Sequence, residues 1–209
     1  MGTAKELWRR IRYSSFLIFH PFKGFWDLKH EGIGTVGVAS LFVAVLALTQ
    51  VIATQFSGFI VNYTDTLKTN ILYVLIRTVA IFMVWVLANW SITTLMDGEG
   101  KIRDIYITTA YALIPYIVSR WIAVLLSNFI VAEEATFYYL ISPIGLLWSG
   151  LLLLTGLMTA HQFSFMKTIA TVILAVIAMI IILFLLLMLL TLLQQMINFA
   201  LLIYQEATQ

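Results

Sequence analysis

The sequence contains no cysteine, which excludes disulfides, thiolate-bound zinc and thiol catalysis. Charge is also scarce. Only 11% of the residues are Asp, Glu, Lys or Arg, against about a quarter in soluble globular domains. The strict alternation of apolar and polar residues that marks a membrane β-barrel is missing. Past Asp104, which opens the third, the long apolar runs hold no carboxylate, so an aspartyl or Ser-His-Asp centre and a carboxylate proton relay all lack their chemistry there. The three histidines, His20, His30 and His161, show no close ligand spacing, and neither a metal nor another cofactor is expected. Behind the N-terminal Lys5, Arg9, Arg10 and Arg12 no short apolar stretch with a small-residue cleavage site follows, so no signal peptide is expected. Glu6 stands where a myristoylation motif carries Ser or Thr.

What the sequence does have is apolar length. Hydrophobic residues make up 62% of it, and mean hydropathy is +0.99. Five runs, at about 35–58, 69–96, 104–130, 137–160 and 168–193, each reach the roughly 20 residues that a helix needs to cross a bilayer core. Backbone groups in lipid must pair within their own segment, so all five are expected to be helices. The fold class predicted is an all-α polytopic bundle with one membrane domain over 32–209. In the last run, Gln194, Gln195 and Asn198 make the end amphipathic, so it either leaves the bilayer or packs on other spans.

Residues 1–31 are basic, aromatic and too polar to span. Leu7, Ile11, Ser15 and Ile18 follow helical spacing beside Trp8, and Pro21 suits the first turn of a second short helix. Both read as interfacial amphipathic helices. Trp8, Phe22, Phe25 and Trp26 would be the anchors, and Arg9, Arg10, Arg12 and Lys23 would meet anionic lipid or an acidic partner. Nine basic residues, six of them before residue 32 plus Lys101, Arg103 and Lys167, fall on one side of the membrane; only Lys68 falls among the opposite connections, with Asp65, Glu133, Glu134 and Glu206. The positive-inside rule puts the N-terminus in the cytoplasm and the C-terminus outside.

Gly32, Gly34 and Gly37 spell GxGxxG, but they open a membrane span, and Val51 and Ile52 stand where a dinucleotide site needs an acid. Close helix packing is the reading we give these glycines. Arg77 and Arg120 are the two charges inside spans, and no acid lies there to neutralise them. Each either reaches the outer headgroups, or Asp65, Glu133 or Glu134, or forms a shared site for a lipid headgroup or a partner carboxylate. Thr78, Trp85 and Asn89 share a face of the second span, and Thr109, Tyr116 and Arg120 a face of the third, where Pro115 can kink the helix. These faces are expected to meet inside the bundle. The fifth span, with almost no polar side chains before Thr191, is expected to be peripheral.

The segment DGEGKIRDIYITTAYALIPY, residues 97–116, resembles the Ypt-interacting protein (Yip) family. The likeness rests on Gly98 and Gly100 in the loop, then Tyr111, Pro115 and Tyr116 in the third span, with a cytoplasmic N-terminus and five spans in the same order. HPFKGFWDLKHEG at 20–32 is similar to the opening segment of bacterial members. The resemblance implies a multipass scaffold or adaptor. Eukaryotic members bind Rab GTPases, but this chain lacks their long hydrophilic N-terminal domain and the Asp-Leu-Tyr-Gly-Pro motif. Its short form is more like bacterial members, some encoded beside carbohydrate ABC transporters, and implies the plasma membrane. The leading expectation is therefore a non-enzymatic scaffold that binds lipid or protein partners through the basic aromatic segment and the 97–104 loop. The rival is a transporter or permease component with a pathway lined by Arg120, Tyr116 and Asn89. No nucleic-acid partner is expected.

Overall fold

The structure, a computed structural model, describes residues 2–62 and 69–207. Asp65 and Lys68 lie outside the described residues, as do the side chains of Lys5, Leu7 and Glu206. Two short helices, α1 (Gly2–Phe19) and α2 (Pro21–His30), precede α3 (Val36–Phe56) and α4 (Ile71–Leu95). The third span is two helices, α5 (Ile102–Ala112) and α6 (Ile114–Ser127). A 3-10 turn at Ala132–Glu134 leads into α7 (Ala135–His161), and α8 (Phe165–Ala207) is last. The described residues contain no strand, and five helical stretches are long and apolar enough to cross a membrane.

Local chemistry sets the helix ends. Pro21 sits in the first turn of α2. Asn70 caps α4 by accepting the Tyr73 N–H at 3.2 Å. Asp104 accepts the Lys101 N–H at 3.0 Å and so closes the start of α5. Pro115 breaks the third span, as its missing donor predicts. The Tyr116 N–H, next after the proline, donates instead to Ser149 Oγ on α7 at 3.0 Å.

Small residues let the helices approach. A methyl group on Gly145 would lie 1.9 Å from Ser119 Oγ, and one on Gly156 would lie 2.4 Å from Thr108 Cγ2. With Ser149 between them, these residues form the α7 face that receives α5 and α6. Gly34 is similarly tight, 2.9 Å from Ile107 Cγ2 for an added methyl, and Gly32 turns the chain at φ +65°. Gly37 departs from the packing expectation: nothing lies within 4 Å of an added methyl there.

α1 and α2 do more than lie beside the bundle. Leu17, Phe25 and Leu28 belong to the same core as Phe42, Ile105 and Tyr111. Gly24 makes this possible, since its missing side chain would meet the Leu17 backbone at 2.9 Å. α8 is peripheral. Its buried residues, Thr168, Thr171 and Ala175, all fall in its first three turns, where it packs on α4. The helix neither ends nor finds a neighbour at Thr191, and every residue from 184 to 205 is exposed. Its 43 residues extend roughly 64 Å, about twice the hydrocarbon thickness.

Candidate functional site

Three arrangements bring candidate residues together. The first is the outer side of the α1–α2 hairpin. Arg9, Arg12 and Lys23 are exposed and line one groove of about 400 Å³ with Tyr13, Phe16 and Asp27. Tyr13 donates to Asp27 Oδ2 at 2.5 Å, which satisfies a carboxylate that is itself buried. Burial, then the hydrogen bond and charge of Asp27, hold the Tyr13 phenol above its ordinary pKa, so it remains the donor. Trp8 (68% exposed), Phe22 (61%) and Trp26 (48%) point outward from the same hairpin. Two of the expected surface residues do not. Phe25 is 2% exposed, because α2 needs one aromatic to fill the gap beside Gly156, where its ring approaches α7. Arg10 turns inward: it donates to the Gly32 and Ile33 carbonyls at 3.1 and 2.9 Å and to Glu6 at 2.7 Å. That bond and the guanidinium charge hold the Glu6 carboxyl below the usual carboxylate range.

The second arrangement explains the glycine-bearing loop. His161, the last residue of α7, is fully buried, stacks on Phe163 and accepts the Gly100 N–H through Nδ1 at 3.2 Å. A methyl group on Gly98 would lie 2.5 Å from His161 Nδ1, and one on Gly100 would lie 2.7 Å from Cε1. The loop can therefore carry no side chains where it crosses the ring. Lys29 of α2 closes the same corner, donating to the Ala160 carbonyl at 2.8 Å and pairing with Glu99 at 3.9 Å. Cation and helix C-terminus attract. Tyr111, also part of the sequence likeness, is wholly buried and meets Phe42 edge to face at 4.9 Å.

The third arrangement lies within the spans. A cavity of about 490 Å³ opens between α3, α4, the α5–α6 break, α7 and α8. Thr78, Trp85, Thr109 and Tyr116 line it, so the two polar faces do meet; Trp85 Nε1 reaches Thr109 Oγ1 at 3.3 Å. Arg77 lines it as well, exposed, with its guanidinium 5.8 Å from the Tyr73 ring centre and no ion pair among the described residues. Gln50, which sequence reasoning missed, donates to Tyr116 Oη at 3.1 Å. Its signal was available: it is an amide within the first apolar run.

Asn89 and Arg120 do not line this cavity. Asn89 is fully buried one turn below Trp85, with no partner for either amide atom among the described residues. Arg120 donates to Ser142 Oγ at 3.2 Å, leaving Nε buried and unpaired. Each lies one turn beyond a lining residue of its own helix, Asn89 after Trp85 on α4 and Arg120 after Tyr116 on α6, so the polar faces run on past the cavity. Arg77 and Tyr116 thus share a site and Arg120 stands apart from it. Among the described residues no group of three His, Asp or Glu side chains is placed to hold a metal ion.

A helical bundle with five apolar spans, a broken third span and an amphipathic hairpin locked into one end defines a multi-pass membrane protein. The family model for the Yip1 domain matches residues 16–194. The chain belongs to the Yip1 family. No curated protein and no solved structure matches it.

Proposed function

We propose that this protein is a non-enzymatic scaffold of the bacterial plasma membrane, which binds anionic lipid or an acidic protein partner on the outer side of the α1–α2 hairpin. One observation carries the reading. The inner side of the hairpin is locked into the bundle core, while its outer side presents Arg9, Arg12 and Lys23 in one groove with Trp8, Phe22 and Trp26 exposed beside it. Exposed aromatics with flanking cations suit the headgroup region, and a partner there meets a preorganised surface rather than a loose tail. A carbohydrate ABC transporter is the candidate protein partner that the resemblance to bacterial relatives suggests. The non-enzymatic part of the reading is supported by membership of the Yip1 family, which is not a known enzyme family.

The test is Arg9→Gln with Arg12→Gln and Lys23→Gln in the full chain. Partner recovery from native membranes and the anionic lipid retained on purification should both fall. Unchanged recovery of both would overturn the proposal. The permease reading is favoured by one observation, the cavity between the spans. It requires that Tyr116→Cys, in this cysteine-free background, react with a membrane-impermeant thiol reagent; absence of labelling in every transport condition would remove it.

A further inference from the structure

The cavity beside Arg77 is not explained by the hairpin surface. We propose that it binds an anionic amphiphile, with an apolar chain inside the cavity and the anionic head on Arg77. The cavity volume, about 490 Å³, lies in the range of specific ligand sites. Its wall is mainly apolar, with Leu46, Ile81, Phe82, Leu113, Leu146 and Met179 contributing hydrocarbon. The polar groups in the wall are largely occupied with one another, Trp85 with Thr109 and Gln50 with Tyr116. Thr78 returns its hydroxyl proton to the Val74 carbonyl. A wall of this kind offers water few partners and a hydrocarbon chain many contacts.

Arg77 supplies the polarity. It lies six residues into α4, about 9 Å along the axis from the helix start, close enough to the end of the bundle to reach headgroup depth. Trp85 lies about 12 Å deeper and marks the floor; below it Val86, Asn89 and Thr93 are fully packed. The site therefore carries its cation near the start of α4 and hydrocarbon along most of the remaining wall, which matches the polarity of an amphiphile. Arg77 has no ion pair among the described residues; a guanidinium beside hydrocarbon is costly, and an anionic oxygen group neutralises it with charge-assisted hydrogen bonds. The Gln50–Tyr116 pair adds a second recognition point. With Gln50 donating, the Tyr116 hydroxyl accepts, so its own O–H remains a donor for an ester or carboxyl oxygen. Arg120 does not compete, since it is engaged with Ser142 outside the cavity.

An anionic phospholipid and a free fatty acid share this chemistry, and titration separates them. The full-length protein, purified and delipidated in mild detergent, is titrated with phosphatidylglycerol, phosphatidylcholine and oleate. Native mass spectrometry reads bound copies and thermal unfolding reads stabilisation. One copy of phosphatidylglycerol or of oleate should bind, and whichever binds names the source; phosphatidylcholine should not compete. Arg77→Gln should weaken binding about tenfold, the loss expected for one charged hydrogen-bonded contact, and Arg77→Lys should weaken it less. Ile81→Trp, at a half-exposed wall position, should block the cavity with the arginine in place. Three results would overturn the site. One is binding unchanged in both Arg77→Gln and Ile81→Trp, and another is equal affinity for phosphatidylcholine. The third is anionic lipid lost only in the Arg9, Arg12 and Lys23 variant, which would assign all of it to the hairpin and leave the proposed function standing.

Discussion

At the scale of single residues, the contact between His161 and the glycine loop leaves no room for a side chain. Gly100 donates its N–H to the imidazole while an added methyl would sit 2.7 Å from the same ring. Gly100→Ala should therefore lower stability by about 1–3 kcal/mol through overpacking, read as a drop in thermal unfolding temperature in detergent. The double variant with His161→Ala is the informative one. Removing the ring removes the clash, so the two losses should be strongly non-additive. Additive losses would mean that the loop strain lies elsewhere. These glycines were legible in the sequence as a family feature, but their reason was not, because the ring they accommodate comes from 61 residues further along. Phe25 shows the same limit. Its spacing places it on an amphipathic helix, yet only the gap at Gly156 decides that this aromatic goes inward while Phe22 and Trp26 remain outside.

Elements were more legible than residues, because a span is fixed by apolar length and a break by proline chemistry. Five spans and the Pro115 break follow from the sequence in that way. The cavity does not, since its wall draws on all five spans and on both sides of the break, and no periodicity within one helix reports that. Of the two expectations for the end of α8, packing on other spans is not seen among the described residues. Gln194, Gln195 and Asn198 introduce polarity without breaking the helix, and apolar residues continue to Tyr204. Because residues 184–203 are exposed along their whole length, they contribute little to the fold. Deleting residues 196–209 should change stability by no more than about 0.5 kcal/mol, whereas Ala175→Trp, at the α4 contact, should cost about 1–3 kcal/mol. Thermal unfolding of the two purified variants compares them directly. A large loss on truncation would show that the distal half of α8 is covered in the native assembly.

For the whole molecule, the hairpin core, the Arg10 bonds and the Lys29 corner fix which end of the bundle carries the basic groove. Arg77, in the second turn of α4, lies toward the other end, where α4 begins. Two anion-attracting surfaces at opposite ends would face different leaflets, so orientation decides which lipids each one meets. The charge asymmetry predicts the hairpin end inside, because Arg103 lies at that end with eight other basic residues while Glu133 lies at the opposite one. Single cysteines can be added at both exposed positions without competition from any native thiol. In intact cells, a membrane-impermeant reagent should label Glu133→Cys and spare Arg103→Cys; after permeabilisation both should label. The reverse pattern would turn the molecule over, placing the hairpin groove against the outer leaflet and the Arg77 pocket against the inner one. In that orientation the groove could no longer recruit a cytoplasmic partner, so this one labelling experiment constrains the hairpin function and sets the lipid pool available to the pocket.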